Sequence, residues 1–353
     1  MDRREFLVTS GGAAAAAATA SAAAAQERPL GPMAEPTAGS RTLRLSMPWA
    51  DNGQGFGDSA RRLANRISVL SGGRFHVVVT GGYASDRLEE TSDLVHGSAQ
   101  DLATHHPAFA YFAGLPGATG LAAADHATWL LAGGGQMLWD DLAKDSGVKP
   151  LLAGHTGPNA PLWSARPIAS LNDLEGQNIF APGLGADVAR GLGANPVTVP
   201  ATNIATALLT GQLAAVEWGG LLASMALGLQ RSAPFALQSG IHTHGTALAL
   251  NVRLAVWEKL STTDQAILSA AALEEFHTSV AEARAHENIV RTALAQAFGI
   301  EFSAVPADIA EALKRVSEAT IAHVSGYDAR AGRIDQSYMA FRSAITDAAL
   351  SVA

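Results

Sequence analysis

The sequence predicts an α/β protein of two lobes, completed by one long helix and a helical C-terminal region. Short apolar segments alternate with segments of helical periodicity from residue 42 to residue 252. One uninterrupted helical pattern then covers 262–297, and two more follow at 306–323 and 325–350. Strand–helix alternation is typical of a mostly parallel sheet with helices on both faces, and the length of the chain allows two such sheets.

The first elements illustrate the pattern. Residues 42–47 alternate like a strand, and 58–70 place Leu63 and Ile67 on one helical face. Glycines at 72 and 73 end this helix before a second strand, 75–80. Further strands are predicted at 148–153, 160–164, 179–181, 196–199, 214–217 and 247–252. Further helices are predicted at 88–96, 185–192, 201–209 and 122–143, the last interrupted by glycines at 133–135.

The N-terminus has the features of an export signal. Arg3 and Arg4 precede an uncharged, Ala- and Gly-rich stretch that ends in small residues at 23–25. This pattern predicts a twin-arginine signal peptide over 1–25 and a periplasmic mature protein. The segments that follow are a linker (26–40), a first α/β lobe (41–150), a second α/β lobe (151–250) and a helical region that packs on both lobes (251–353).

Composition excludes several classes of protein. The 353 residues contain no cysteine, which rules out disulfides, thiolate-bound zinc and iron–sulfur clusters. The 24 basic and 32 acidic residues give a net charge of −8, which argues against nucleic acid as a partner. With 48% hydrophobic and 16% charged residues, the chain has the apolar content that a large folded core requires.

Enzyme motifs are missing from the sequence. It contains no GxSxG, GxxxxGK[ST] or HExxH pattern, and Gly183-Leu184-Gly185 lacks the third glycine of a dinucleotide-binding loop. We therefore expect neither catalysis nor an organic cofactor. An alternative stays open, in which a metal-dependent periplasmic enzyme or metal carrier uses imidazole and carboxylate ligands. Its candidate ligands are His105, His106, His242, His244 and Glu217.

The most informative short segment is Glu217-Trp218, which follows the apolar strand 214–217 and precedes two glycines. Open α/β sheets bind their ligands at the carboxyl ends of strands, so this pair is a candidate binding site. Other segments share with it a common order along the chain. They are 107–112 (PAFAYF), 133–140 (GGGQMLWD), 147–150 (GVKP), 173–176 (DLEG), 182–185 (PGLG) and 192–194 (LGA).

Taken together, these segments resemble the solute receptors of TRAP (tripartite ATP-independent periplasmic) transporters, in the branch that binds α-keto acids, over residues 41–345. The resemblance implies a two-lobed periplasmic-binding-protein-like fold with a hinge. It implies a small organic solute held in the interlobe cleft and passed to membrane permease subunits for uptake driven by an ion gradient. It further implies bound Na⁺ or Ca²⁺ and a homodimer formed through the C-terminal helix, 325–350.

The resemblance also assigns site residues. Glu217 and Trp218 match the cation-and-ligand pair of the family, with a carboxylate oxygen from the first and a backbone oxygen from the second. Thr243 stands where relatives carry an acidic metal ligand, and Asn159 stands where they carry Gln. We expect Asn159, Trp218, Thr243 and the neighbouring His242 to line the solute pocket.

Phe180 is the sharpest departure from the family. Relatives have an Arg at this position that pairs with the ligand carboxylate, and the flanking sequence aligns without a gap. One interpretation keeps a carboxylate ligand and supplies an Arg from elsewhere in the fold; Arg166 and Arg190 lie on other elements. The other assigns a solute that is uncharged or that packs an apolar group on Phe180. We favour the second, because a buried carboxylate without its charged partner is costly.

Overall fold

The computed structural model describes residues 34–49, 55–82, 92–102, 105–158, 160–238 and 240–352, with side chains as far as 346. The predicted signal peptide, most of the linker and Asn159 lie outside these ranges. Within them, every helix is too short or too polar to cross a lipid bilayer.

The first sheet has the strand order β2-β1-β3-β10-β4. Strand β1 (Arg41–Met47) pairs in parallel with β2 (Phe75–Gly81) and β3 (Leu94–Ser98). Strand β10 (Ala247–Arg253) runs antiparallel to both β3 and β4 (Val148–His155). The alternating apolar residues of β1 are fully buried against helix α1 (Phe56–Leu70), as the sequence pattern predicts.

The second sheet has the order β11-β9-β5-β8-β6-β7. Its strands are β5 (Leu162–Ser164), β6 (Asn178–Phe180), β7 (Asn195–Pro196), β8 (Ala215–Glu217), β9 (Phe235–Leu237) and β11 (Glu301–Ser303). Strand β5 is antiparallel to β8 and β9, whereas β6 is parallel to β7 and β8. Strand β11 is parallel to β9, so three of the five pairings in this sheet are parallel, against two of four in the first. Both sheets are therefore mixed, and the expectation of a mostly parallel sheet fails in the first. In the first sheet, the chain leaves the lobe through β4 and re-enters it through β10, and β10 therefore runs antiparallel to its neighbours.

The helices cover the sheets and join the lobes. They are α1, α2 (Ala110–Ala113), α3 (Ala123–Leu131), α4 (Gly135–Ala143), α5 (Leu184–Gly191), α6 (Ile204–Leu209), α7 (Leu221–Leu227), α8 (Leu254–Trp257), α9 (Thr262–Phe298), α10 (Ala307–Ser325) and α11 (Ala329–Val352). The long helix α9 buries Leu268 and Ala272 in the core of the first sheet. Farther along, it buries Val290 and Leu294 in the core of the second, so it spans both lobes.

The two sheets divide the chain differently from the predicted segments. Both β4 and β10 belong to the first sheet, so the chain crosses to the second lobe after His155 and returns before Ala247. The crossing segments are joined by Thr156 N–H donating to the Thr246 carbonyl (2.9 Å) and Thr246 N–H donating to Thr156 Oγ1 (2.8 Å). They pass so closely that a Cβ at Gly245 would lie 1.9 Å from the Gly157 carbonyl oxygen.

Two other local predictions fail. The predicted helix 88–96 ends inside β3, whose Leu94 and Val95 are buried in the strand that lies between β1 and β10. The three-residue strands β9 and β11 were not predicted, because segments this short carry no measurable period.

Candidate functional site

Glu217 lies at the carboxyl end of β8 and is 1% exposed. Its Oε1 accepts the backbone N–H of His242 (3.1 Å) and lies 2.7 Å from His242 Nδ1, while Oε2 accepts the backbone N–H of Ile241. Gly240 permits this approach, because a Cβ there would lie 2.6 Å from Oε2. The carboxylate therefore holds the loop at 240–242 against the end of the strand.

His242 lies beside this carboxylate and is also 1% exposed. Because an ionised carboxylate can only accept, Nδ1 is the donor in the contact with Glu217. The opposite ring nitrogen, Nε2, is buried without a hydrogen-bond partner among the described residues. The His242 ring packs on Gly185 in the first turn of α5, where a Cβ would lie 2.9 Å from Cε1.

Trp218 is half-buried and contacts aromatic rings from both lobes. Its ring centroid lies 6.1 Å from that of Phe180, at the end of β6 in the second lobe, and 5.6 Å from that of Phe56, at the start of α1 in the first. Phe56 in turn lies 5.1 Å from Trp49. The Trp218 carbonyl accepts the hydroxyl of Ser224 at 2.7 Å. Four rings thus bridge the interlobe boundary.

The turn Ala99–Leu102, which follows β3, also reaches the second lobe. Gln100 in this turn reaches the first turn of α5, and a Cβ on Gly183 would lie 1.0 Å from its Oε1. Gln100 is 6% exposed, and neither atom of its amide has a partner in the described part of the chain. Burial raises the pKa of the adjacent Asp101 to about 7, although a backbone hydrogen bond at Ser98 opposes the shift.

His96 closes the wall next to Trp49, with ring centroids 5.6 Å apart. It is fully buried, and its Nδ1 and Nε2 lie 3.1 Å from the Ala249 carbonyl and 3.0 Å from Ser59 Oγ. Burial lowers the pKa of His96 to about 4, so the ring is neutral at neutral pH.

The structure brings together four of the sequence-predicted site residues, Phe180, Glu217, Trp218 and His242. Thr243 follows His242 on the same loop and is half-buried. Asn159 lies outside the described residues. Sequence reasoning missed the wall that the first lobe contributes, namely Trp49, Phe56, Gln100 and Asp101. No short motif in the sequence indicates which side chains of the first lobe face the second.

The histidines of the metal-enzyme hypothesis are not assembled into a cluster. His105 Nδ1 lies 3.3 Å from Ser146 Oγ, and His106 Nε2 lies 3.0 Å from an Asp328 carboxylate oxygen. His242 instead pairs with Glu217. Among the residues that the structure describes, no three His, Cys, Asp or Glu side chains could hold a metal ion. The hypothesis of a metal-dependent enzyme has no support here.

Comparison with known proteins gives a consistent picture. Residues 57–325 match the family described as bacterial extracellular solute-binding protein, family 7. A monocarboxylate 2-oxoacid-binding periplasmic protein from Nostoc sp. (strain PCC 7120) is 28% identical over 294 residues, which cover 81% of this chain and 80% of that protein.

Two solved structures share the fold. One is a TRAP transporter solute-binding protein from Bordetella bronchiseptica RB50, a mixed-occupancy dimer with copurified calcium and picolinate in its bound active site. It matches with a TM-score of 0.83 at 24% identity, over 88% of this chain and 94% of that one. The other is a TRAP periplasmic solute-binding protein from Pseudoalteromonas atlantica T6c with bound sodium and pyruvate. Its TM-score is 0.81 at 21% identity, over 87% of this chain and 95% of that one. These matches confirm the predicted two-lobed fold.

Proposed function

Because the chain belongs to the bacterial extracellular solute-binding proteins of family 7, we propose that it captures a small organic solute between its lobes and delivers it to the permease subunits of a TRAP transporter. Uptake is then driven by an ion gradient. Members of this family are receptors, so the chain has no catalytic role. The observation that carries the proposal is the contact between Phe56 and Trp218, whose ring centroids lie 5.6 Å apart, because it brings apolar rings of the two lobes together across the interlobe boundary.

The solute is keto-acid-like, or a less charged variant of such an acid. Support for an acid comes from the Nostoc relative, whose described ligands are monocarboxylate 2-oxoacids. Support for reduced charge comes from Phe180, which contacts Trp218 where relatives carry an Arg. The arginines considered as substitutes have other surroundings, since Arg166 is exposed and Arg190 pairs with Asp187 on an exposed surface. The pocket comprises Phe180, Trp218, Thr243 and His242, together with Asn159.

A hard cation, Na⁺ or Ca²⁺, accompanies the solute. The donors are the carboxylate of Glu217 and the carbonyl of Trp218, with Thr243 on the adjoining loop. Three N–H groups already occupy acceptor positions of Glu217, and a hydroxyl occupies one position of the Trp218 carbonyl. One acceptor position remains on each, which fits a cation that completes its coordination with solute and water oxygens. A single carboxylate favours Na⁺ over Ca²⁺. No organic cofactor is part of the proposal.

The receptor works in the periplasm, as the name of the Nostoc relative states for that protein. Residues 1–25 direct export by the twin-arginine route. A homodimer through α11 stays a prediction. Part of that helix packs within its own chain, where Tyr338 contacts Trp129 and Tyr111, so only its remaining surface is available to a second copy.

Calorimetry on the chain from residue 26 onward tests the proposal. The titrants are pyruvate, lactate and their amides, each in sodium, calcium and choline chloride. We expect solute binding to require sodium or calcium, and we expect Glu217→Gln to weaken solute binding because the variant loses the charged ligand of the cation. We expect Phe180→Arg to bind pyruvate at least tenfold more tightly than the wild type. Absence of binding to every titrant would contradict the receptor function, and unchanged binding in choline chloride would contradict the cation.

A further inference from the structure

Gln100 is a buried polar residue at the boundary between the two lobes. It is 6% exposed, and neither Oε1 nor Nε2 has a hydrogen-bond partner in the described part of the chain. Buried polar atoms are almost always paired, because leaving one unpaired costs more free energy than a typical hydrogen bond contributes. The arrangement of the lobes in this structure therefore carries a cost at Gln100.

The contact that covers the Gln100 amide comes from the opposite lobe. The backbone of Gln100 belongs to the first lobe, where its N–H donates to Ser98 Oγ (3.2 Å) at the end of β3. Its side chain reaches Gly183, just before α5 of the second lobe, where a Cβ would lie 2.1 Å from the amide carbon Cδ. If the second lobe moves away, this face of the amide contacts water, and the cost of leaving it unpaired disappears.

Apolar contacts at the same boundary have the opposite effect. Leu184, the residue after Gly183, is 6% exposed and shares an apolar cluster with Ala99 and Leu102, from the turn that carries Gln100. The aromatic contact between the lobes acts in the same direction. These apolar surfaces leave water only when the lobes are together, so they favour the closed form. Gln100 is the polar group in this turn that opposes them.

We propose that Gln100 and Gly183 set the balance between the open and closed forms of this receptor. Contact with Gly183 leaves the Gln100 amide without a partner, so Gln100 disfavours closure and keeps the empty cleft accessible to solute. A solute that binds both lobes supplies the free energy that closure then requires. This inference rests on the proposed receptor function and adds to it the pair of residues that regulates closure.

The separation of the lobes can be measured with two fluorophores, because the chain contains no cysteine of its own. Val78→Cys lies on β2, the edge strand of the first sheet farthest from β4, and Leu209→Cys lies at the end of α6 in the second lobe. The two native side chains are 42% and 69% exposed, so both positions accept a label. Single-molecule energy transfer between the labels reports the ratio of closed to open molecules without any solute.

Gln100→Met tests the cost of the amide directly, because it introduces an apolar side chain of similar length. We expect this substitution to raise the closed-to-open ratio of the empty receptor about fivefold or more, since no polar group is then left unpaired on closure. In calorimetry with pyruvate in sodium chloride, we expect it to tighten binding, because a larger fraction of the protein is already in the closed form.

Gly183→Ala perturbs the same contact from the other lobe. In the Gln100→Met background we expect it to lower the closed-to-open ratio about fivefold or more, because the added Cβ overlaps the side chain at position 100. In the Gln100→Ala background that side chain is too short to collide, and the ratio should change by less than about twofold. The strain of Ala at the Gly183 φ of 52° is present in both backgrounds, so it cancels from this comparison.

Gln230→Met is the matched control. Gln230 is also 6% exposed and its Oε1 also lacks a partner among the described residues, but its Nε2 donates to the Met225 carbonyl (3.4 Å) within the second lobe. Because this amide makes its described contact inside one lobe, its replacement should leave the closed-to-open ratio within about twofold of the wild type. Thermal melts verify that each variant is folded.

A closed-to-open ratio in folded Gln100→Met that equals or falls below that of the wild type would overturn the inference. So would equal effects of Gly183→Ala in the two backgrounds. Weaker pyruvate binding by Gln100→Met would also overturn it, since Gln100 would then be a solute contact. Failure of the receptor function is a separate result, because energy transfer needs no solute: if the ratios shift as expected while no titrant binds the wild type, the role of Gln100 in closure stands and the receptor function is wrong.

Discussion

Removal of Glu275 should destabilise the protein far more than removal of its neighbour Glu274. Glu275 is 3% exposed on α9, and it forms a two-pronged pair with Arg62 on α1 through Nε to Oε2 (2.8 Å) and Nη2 to Oε1 (2.6 Å). Glu275→Ala leaves the Arg62 guanidinium partly buried, with Glu282 at 3.2 Å and the weaker charge of Asp58 to compensate. Breaking such a buried pair from one side costs about 3–5 kcal/mol.

The neighbouring pair supplies a matched control. Glu274, the residue before Glu275 on α9, pairs with Arg66, one turn after Arg62 on α1, but both side chains are more than a third exposed. Glu274→Ala should therefore cost less than about 1 kcal/mol. In thermal melts, we expect Glu275→Ala to lower the Tm by about 6–10 °C and Glu274→Ala by no more than about 2 °C. Equal shifts for the two variants would refute the argument that burial decides the value of these pairs.

Three further outcomes follow from the site and its surroundings. Glu217→Ala leaves three donors of the 241–242 loop unpaired, including His242 Nδ1, and should cost about 2–5 kcal/mol in urea unfolding. Glu217→Gln keeps one acceptor oxygen and should cost less. Burial lowers the pKa of His126 to about 4, so the folded protein loses stability as the pH falls from 6.5 towards 4. His126→Gln removes this titration. Between pH 7 and pH 4, the wild type should therefore lose about 3 kcal/mol of unfolding free energy relative to the variant. Tyr338→Ala removes a fully buried ring and should cost about 3–5 kcal/mol, against less than about 0.5 kcal/mol for Tyr327→Ala, which is 60% exposed; comparable losses would contradict the packing of α11.

Periodicity predicted the elements that carry enough residues to show a period. Helix α9 was predicted over 262–297 and covers Thr262–Phe298, because 37 residues without Gly or Pro leave no competing structure. Strand β3 was missed because its residues are buried without alternation, between β1 and β10. The mixed direction of the sheets also escaped prediction, since it depends on where the chain crosses between lobes rather than on any local pattern.

The same distinction between local and long-range features applies to the residues of the candidate site. Glu217 and Trp218 could be found because they are adjacent in sequence at the end of one strand. Gln100 and Trp49 could not, because their relation to Phe180 and Trp218 exists only when two lobes distant in sequence meet. Resemblance to a family identified Phe180 as a departure, but the structure was needed to show that its neighbour is an aromatic ring.

The departures at the site change its charge in a consistent direction. By the resemblance to the family, Phe180 stands in place of a positive side chain and Thr243 in place of a negative one, so the substitutions remove both members of a complementary set rather than one. The charge that remains is restrained by the fold: Glu217 is held by three N–H groups, and burial keeps Asp101 largely protonated below pH 7. A fully charged solute would bind such a cleft weakly. Only neutral donors and one shared cation would compensate for the water that the charge loses on entering. Neutral groups that need both a donor and an acceptor lose less on entering it.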